Sequence, residues 1–374
     1  MTITVSKTVL SEAVNILSQA LPKKITIPIL GDFYCKVEDK VLEMTASDSE
    51  ITVRKSVILV DAEGSGAFCM DAALIKNTLS ELPEQPITIE VTDDKIVVKH
   101  ETGNFHFPIS NQNPDEYPAL LSDLEADTDF YVDSGKVIDA ISRCMWATET
   151  SDLRPAMCGI CFNIAKGYLE VVASNGHQIV KSRIKAQEAP DELKGKFVLP
   201  KKAAMLLARL KSSDDFCICF DEKRIMVEID DTFISASLVD AKYPDYNKVF
   251  PTGTRPTALI NRYQFINSVK KVSPFSNENS NMIRLSFSKN SLDINAEDYD
   301  FSVGATDAFN VDYEGDNIAI GMKGSSLLKS LQIMKTDKLF MEFTDDSHAV
   351  TLSYESPDEN DQVEILLMPM LLNN

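Results

Sequence analysis

Apolar residues recur along the chain in two rhythms. Alternating apolar residues mark three places: Leu42-Glu43-Met44-Thr45-Ala46 before the polar stretch Ser47-Asp48-Ser49-Glu50, Leu169-Glu170-Val171-Val172-Ala173 before Ser174-Asn175-Gly176-His177, and Leu292-Asp293-Ile294-Asn295-Ala296 before Glu297-Asp298-Tyr299-Asp300. A period of two on either side of a polar turn predicts antiparallel hairpins. The three alanines stand 127 and 123 residues apart. Spacing of three and four residues predicts helices elsewhere. One such helix opens each unit: Ser6 to Ala20, Ser134 to Ala147 and Asn261 to Ser273. A second follows a short strand in each, over Asp71 to Leu82, Pro200 to Ser212 and Met322 to Lys335. Pro-Asp turns at Pro114-Asp115 and Pro244-Asp245, 130 residues apart, close the first two units.

The chain of 374 residues therefore reads as an α+β protein of three repeated domains, each with two helices packed on antiparallel sheets. The expected boundaries are 1–125, 126–253 and 254–374. An apolar content of 44% suffices for cores in all three. No apolar run reaches the ~18–20 residues of a membrane span, and no signal pattern opens the chain. Seven cysteines, an odd number scattered widely, fit reduced thiols. A cytoplasmic protein without membrane contact is expected.

Composition first argues against DNA. With 37 Lys and Arg against 57 Asp and Glu the formal charge is −20, the wrong sign for an adhesive phosphate binder. The distribution reverses that argument. The six helix windows together carry +10, leaving −30 for strands and loops. A solvated amphipathic face is the plainer account of any one helix. Recurrence through three equivalent units points instead to a positive lining within a negative body.

Chemical motifs are few. Cys158-Gly159-Ile160-Cys161 with Cys217-Ile218-Cys219 offers four thiols for zinc. Both members of the first pair are read as part of a strand, where positions three apart face opposite ways. Buried core cysteines are the expected outcome. No phosphate loop, dinucleotide fingerprint, zinc-protease helix or nucleophile elbow occurs. Acid pairs at Asp214-Asp215, Asp230-Asp231 and Asp345-Asp346 leave an acidic α+β metal-dependent nuclease as the alternative function. Such a site would belong to one unit, whereas the basic helices recur. No catalytic residue, metal or cofactor is expected.

Four segments carry a more specific signal. Thr26-Ile27-Pro28-Ile29-Leu30-Gly31, Ala173-Ser174-Asn175-Gly176-His177, the block from Ser237 to Tyr246, and Leu367-Met368-Pro369-Met370 occur in this order. The chain thereby resembles the bacterial sliding clamps, the β subunit of the DNA polymerase III holoenzyme. The resemblance implies a DNA clamp fold in a head-to-tail homodimer, a six-domain ring enclosing double-stranded DNA without reading its sequence. It implies an accessory processivity factor rather than an enzyme. Its partners would be the polymerase III alpha subunit, the clamp loader and other proteins with clamp-binding motifs.

The resemblance also places a partner-peptide groove between the second and third units. Its matching positions in the second unit are Met157, Ser174, Gly176, His177, Gln178, Ile179, Pro244, Lys248 and Val249. Those near the C-terminus are Leu366, Leu367, Met368, Pro369, Met370, Leu371 and Leu372. Thioether and aliphatic side chains suit varied apolar anchors. His177 is read either as a turn residue satisfying local hydrogen bonds or as groove lining. Lys24 and Arg154 match DNA-facing basic positions of the family, and the charge pattern adds Lys201, Lys202, Lys270 and Lys271. The chain departs from the family at Ser280, where an aromatic residue is expected, and at Lys323 and Ser326, where Asn and Tyr are expected. Leu371 replaces a basic residue, and Asn373-Asn374 extend the tail.

Overall fold

The computed structural model describes residues 1–109, 113–118, 130–165, 167–186, 195–210, 214–355 and 361–372. The expected 125/126 boundary, Lys211 and the Asn373-Asn374 extension lie outside the described residues. Seven α-helices occur among them: α1 Lys7–Leu17, α2 Ala72–Ser80, α3 Ser134–Cys144, α4 Pro155–Cys158, α5 Lys201–Leu207, α6 Arg262–Val272 and α7 Gly324–Ile333. Six fall inside the windows drawn from periodicity and are shorter than them. Three begin on the same device, a carboxylate or amide at the last residue of the preceding strand. Asp71 Oδ1 accepts from the Leu74 amide at 2.7 Å, Asp133 Oδ1 from Lys136 at 2.8 Å and Asn261 Oδ1 from Gln264 at 3.0 Å. Each satisfies an orphan amide of the first turn, so strand end and helix start are one feature.

The chain forms two compact units that do not follow its thirds. Of the described residues, the first comprises those within 1–138 and 202–239, the second those within 139–186, 195–201 and 240–372. Each contains an antiparallel eight-stranded sheet taking four strands from the middle third of the chain. In the first unit these are Phe130–Asp133, Asp215–Phe220, Arg224–Ile229 and Thr232–Ser237, continued by Ile51–Ile58, Val41–Ser47, Asp32–Glu38 and Gly66–Asp71. In the second, Gly195–Leu199, Ile160–Ala165, Tyr168–Ser174 and Gln178–Lys185 are continued by Asp361–Leu367, Val350–Ser353, Lys338–Glu342 and Thr257–Asn261. The seams correspond. Thr232 pairs with Lys55 and Ala236 with Ile51 in one; Gln178 pairs with Leu367 and Ile184 with Asp361 in the other.

Smaller antiparallel sheets complete the units. The first has five strands, ending on the edge strand Gly103–Pro108; the second has four, ending on Val303–Asn310. In the first unit α1 packs on α2 and on the strands Val41–Ser47 and Ile51–Ile58, burying Leu10, Ala13, Val14 and Leu17. In the second α6 packs on α7 and on the Ser291–Asp298 and Val303–Asn310 hairpin, burying Phe265 and Val269 beside Leu327 and Leu331 of α7. Each of the Leu, Val and Phe side chains among them contributes about 1.5–3 kcal/mol through water exclusion. A half-buried ion pair joins two elements of the second unit: Arg143 donates to both carboxylate oxygens of Asp361, at 2.6 and 2.8 Å.

The three predicted hairpins are present, and their likeness extends to individual bonds. Asp48 Oδ1 accepts from the amides of Glu50 and Ile51, Asn175 Oδ1 from His177 and Gln178, and Asp298 Oδ1 from Asp300 and Phe301. Ser49, Gly176 and Ser302 supply a left-handed residue in the respective turns, with φ of 78°, 88° and 54°. One expectation needs correction. Cys158 is not in a strand: Pro155 starts the short helix α4, whose last residue is Cys158, and only Cys161 lies in the strand Ile160–Ala165. Its thiol donates to the Ser151 carbonyl at 3.2 Å and is half-buried, while Cys161 is fully buried. No group of three or more His, Cys, Asp or Glu among the described residues is placed to hold a metal ion.

Candidate peptide groove and basic surface

The chain's C-terminal segment builds a groove in the second unit. The strand Asp361–Leu367 runs beside Gln178–Lys185, and the segment after it stays held by two backbone bonds. The Met368 amide donates to the His177 carbonyl at 2.9 Å, and the Met370 amide donates to the Gly321 carbonyl at 2.8 Å. Pro369 between them has no amide to leave unpaired. The resulting cavity of about 310 Å³ is lined by His177, Gln178, Leu367, Met368, Pro369 and Met370, joined by Met322, Lys323 and Ser326. Met368 is exposed and Leu367 buried, so the rim can adapt while the floor is fixed.

Six of the residues expected in the groove therefore meet there. Ser174, Gly176, Ile179 and Leu366 shape it without lining it. Ser174 Oγ accepts from the Gly176 amide at 3.1 Å, and buried Ile179 pairs with buried Leu366 across the seam. Gly176 has positive φ, and a Cβ there would stand 2.7 Å from Arg154 Nη1. Leu372 lines an adjacent cavity of about 270 Å³ with Ser280, Arg284 and Tyr299. Leu371 is exposed, Met157 is half-buried, and Pro244, Lys248 and Val249 are exposed; none of these five lines the groove. Tyr246, close to Pro244, instead donates to buried Glu170 at 2.7 Å. Glu170 also accepts from Arg183 and Asn163. Burial opposes the charge on Glu170, but these three donors outweigh it and hold the carboxyl below its ordinary range.

Met322 and Gly321 were missed by sequence reasoning. A Cβ on Gly321 would lie 2.4 Å from the Met370 carbonyl oxygen, so only glycine admits the tail. A signal existed: the corresponding strand positions before the other second helices are Cys69 and Leu199. Substituting Gly321→Val is expected to push the tail away and weaken binding of a groove peptide about ten-fold, a ~1–3 kcal/mol overpacking cost. Fluorescence anisotropy with a labelled apolar-anchored peptide measures it.

The basic residues divide sharply. Lys24 and Lys270 are exposed and without an ionic partner among the described residues. Lys271 reaches Asp307 at 2.9 Å, and Lys201 donates to Thr148 Oγ1 at 2.8 Å. Lys202 is spent structurally, donating to the carbonyls of Ala20 and Leu21, both at 3.0 Å, and to the Asp48 carboxylate. Arg154 lies against the Gly176 turn. Helix charge is thus partly neutralised locally, with Lys335 also paired to Asp139.

In the first unit, beside its own sheet seam, lies a cavity of about 290 Å³ lined by Tyr34, Arg54, Tyr117 and Phe233 with Glu43 and Asp115. Its mixed charge contrasts with the acid-free lining of the groove. The acid pairs show no catalytic arrangement either. Asp214 is hydrogen-bonded to Asp230, which raises its pKa, but no further ligand completes a metal set among the described residues.

Repeated hairpin and helix units on shared antiparallel sheets define the DNA clamp fold. Family models for the DNA polymerase III beta subunit match in order: N-terminal domain at residues 1–121, central domain at 131–245 and C-terminal domain at 247–371. The chain belongs to this family, an accessory and non-catalytic subunit, so the nuclease alternative is not supported. Among relatives, the beta sliding clamp of Pseudomonas aeruginosa is 27% identical over 372 residues, covering 99% of both chains. That of Haemophilus influenzae is 25% identical over 358 residues, covering 94% of both. A crystal structure of the Pseudomonas aeruginosa sliding clamp bound to griselimycin superposes with TM-score 0.93 at 25% identity, covering 100% of both chains. The Bacillus subtilis clamp, at 21% identity, shares the fold with TM-score 0.91 over 100% of both chains.

Proposed function

We propose that two copies of this chain close head to tail into a ring around double-stranded DNA and act as the processivity factor of a replicative polymerase. The observation carrying this reading is the series of three family domains in order, at residues 1–121, 131–245 and 247–371. The edge strands support the closure. Gly103–Pro108 and Val303–Asn310 each end a sheet with a row of backbone groups unpaired within the described chain. Pairing one with the other across two copies would extend both sheets and remove the exposed edges.

The domain limits we assign are 1–125, 126–253 and 254–374. Polymerase III alpha, the clamp loader and other motif-bearing proteins would dock as peptides in the groove of the second unit, and its apolar tail supports that assignment. Lys24 and Lys270, exposed and without an ionic partner among the described residues, are the side chains best disposed to meet phosphates. No helix among the described residues is long and apolar enough to cross a membrane. The seven free thiols favour a reducing cytoplasm.

Light scattering on the purified protein tests the ring. A mass of about 83 kDa, twice the 41.5 kDa of one chain, is expected. A particle that stays at the single-chain mass at micromolar concentration would exclude the two-copy ring.

A further inference from the structure

In the first unit one ammonium ties α5 to the end of α1. Lys202, the second residue of α5, donates to the Ala20 and Leu21 carbonyls at 3.0 Å each and to the Asp48 carboxylate, which occupies its three donors. Both carbonyls lie just past α1, where turn bonds from Gln19 to Ile16 and from Ala20 to Leu17 finish the helix. No backbone amide among the described residues donates to either of them. A cation there satisfies orphan acceptors and meets the negative end of the helix. Asp48 is itself fixed by its turn, since Oδ1 accepts from Glu50 and Ile51 while Oδ2 takes the lysine. Just beyond α5, Arg209 donates to Gln19 Oε1 at 3.0 Å. A segment of the middle third of the chain thus grips the end of α1 at two points.

From that end the chain runs directly into a basic loop. Residues 23–28 are all exposed, and residues 22–26 make no other hydrogen bond among the described residues. Burial resumes at Ile29 and Leu30. The near end of the loop, which carries Lys23 and Lys24, is therefore placed by whatever holds Ala20 and Leu21. We infer that Lys202 is a positioning residue for DNA, holding the end of α1 so that Lys23 and Lys24 face phosphates, an assignment that rests on the reading of Lys24 as DNA-facing and deepens it. Charge alone puts Lys202 in the same class as Lys24. Geometry separates them, because Lys202 would have to give up a carboxylate and two carbonyls to reach a phosphate, whereas Lys24 gives up only water.

Anisotropy of a short fluorescein-labelled duplex, titrated with the full-length protein between ~0.05 and ~0.2 M salt, tests this. Replacing Lys23 and Lys24 together by Gln is expected to weaken binding about ten-fold at the lowest salt and to lower the salt slope by about two phosphates. Lys202→Gln should reproduce about five-fold of that loss, with a slope change larger than the single phosphate its own charge could account for. Combining all three substitutions should cost almost nothing beyond the loop pair, because a holder matters only through what it holds. Lys202→Arg, which keeps donors for the same acceptors, should bind DNA like the unaltered protein. Limited trypsin digestion gives a reading without DNA: cleavage after Lys23 and Lys24 should quicken several-fold in Lys202→Gln and stay unchanged in Lys202→Arg. Losses that multiply in the triple variant would make Lys202 a phosphate contact and overturn the positioning role. Unchanged cleavage in Lys202→Gln would overturn it as well. Full binding by the Lys23 and Lys24 double variant would instead remove the loop from the DNA surface, and this inference with it.

Discussion

On nicked circular duplex the loaded protein is expected to remain bound through gel filtration at about 0.5 M salt, and to be lost once the same circle is cut. The physical reason is that direct adhesion is weak. Of the basic residues in the helix windows, Lys202, Lys271, Lys335 and Arg143 are engaged by Asp48, Asp307, Asp139 and Asp361. The remainder of a body with charge −20 repels phosphates. A complex resting on some six phosphate contacts would lose about 10³-fold or more in affinity between ~0.05 and ~0.2 M salt. It would therefore leave circular and linear DNA alike. A closed ring needs no such affinity, and its escape requires either an end or an opened interface. Retention lifetimes on the two DNA forms should differ by at least about 100-fold, a ratio that adhesive binding cannot generate because the local contacts are the same. Equal loss from circle and linear DNA would refute encirclement.

The repeat behind this expectation was legible because it is local. Alternation around Ala46, Ala173 and Ala296 is a property of neighbouring residues, and the Asp48, Asn175 and Asp298 turns act within three residues of themselves. The sheet seams were not legible. Thr232 meets Lys55 across 177 positions and Gln178 meets Leu367 across 189, and no local pattern records such partners. That is also why three sequence repeats form two compact units, since the middle third contributes four strands to each large sheet. Charge counting located the basic helices, yet it could not tell Lys202, held by three acceptors, from Lys270, which is exposed. The groove was half legible: Met368, Pro369 and Met370 announce a docking segment through their chemistry. Gly321 does so only through the backbone it must admit.

Ending the chain at Leu367 is expected to reduce polymerase stimulation to the level of polymerase alone while leaving the two-copy assembly intact. The cut removes Met368, Pro369 and Met370, a third of the groove's lining residues, and with them the rim that can follow different apolar anchors. Hot-spot losses of this kind cost several kcal/mol, so peptide affinity should fall by more than about 100-fold. The structural cost is far smaller. Among the described residues two backbone bonds are lost, Met368 to His177 and Met370 to Gly321, whereas the seven-residue register between Gln178–Ile184 and Asp361–Leu367 remains. The edge strands Gly103–Pro108 and Val303–Asn310, through which we close the ring, are untouched. Primer extension on a singly primed circle and light scattering thus give two separable readings. Long products made by the shortened protein would remove the groove from partner binding. A shortened protein that no longer pairs would show that the tail serves the ring instead.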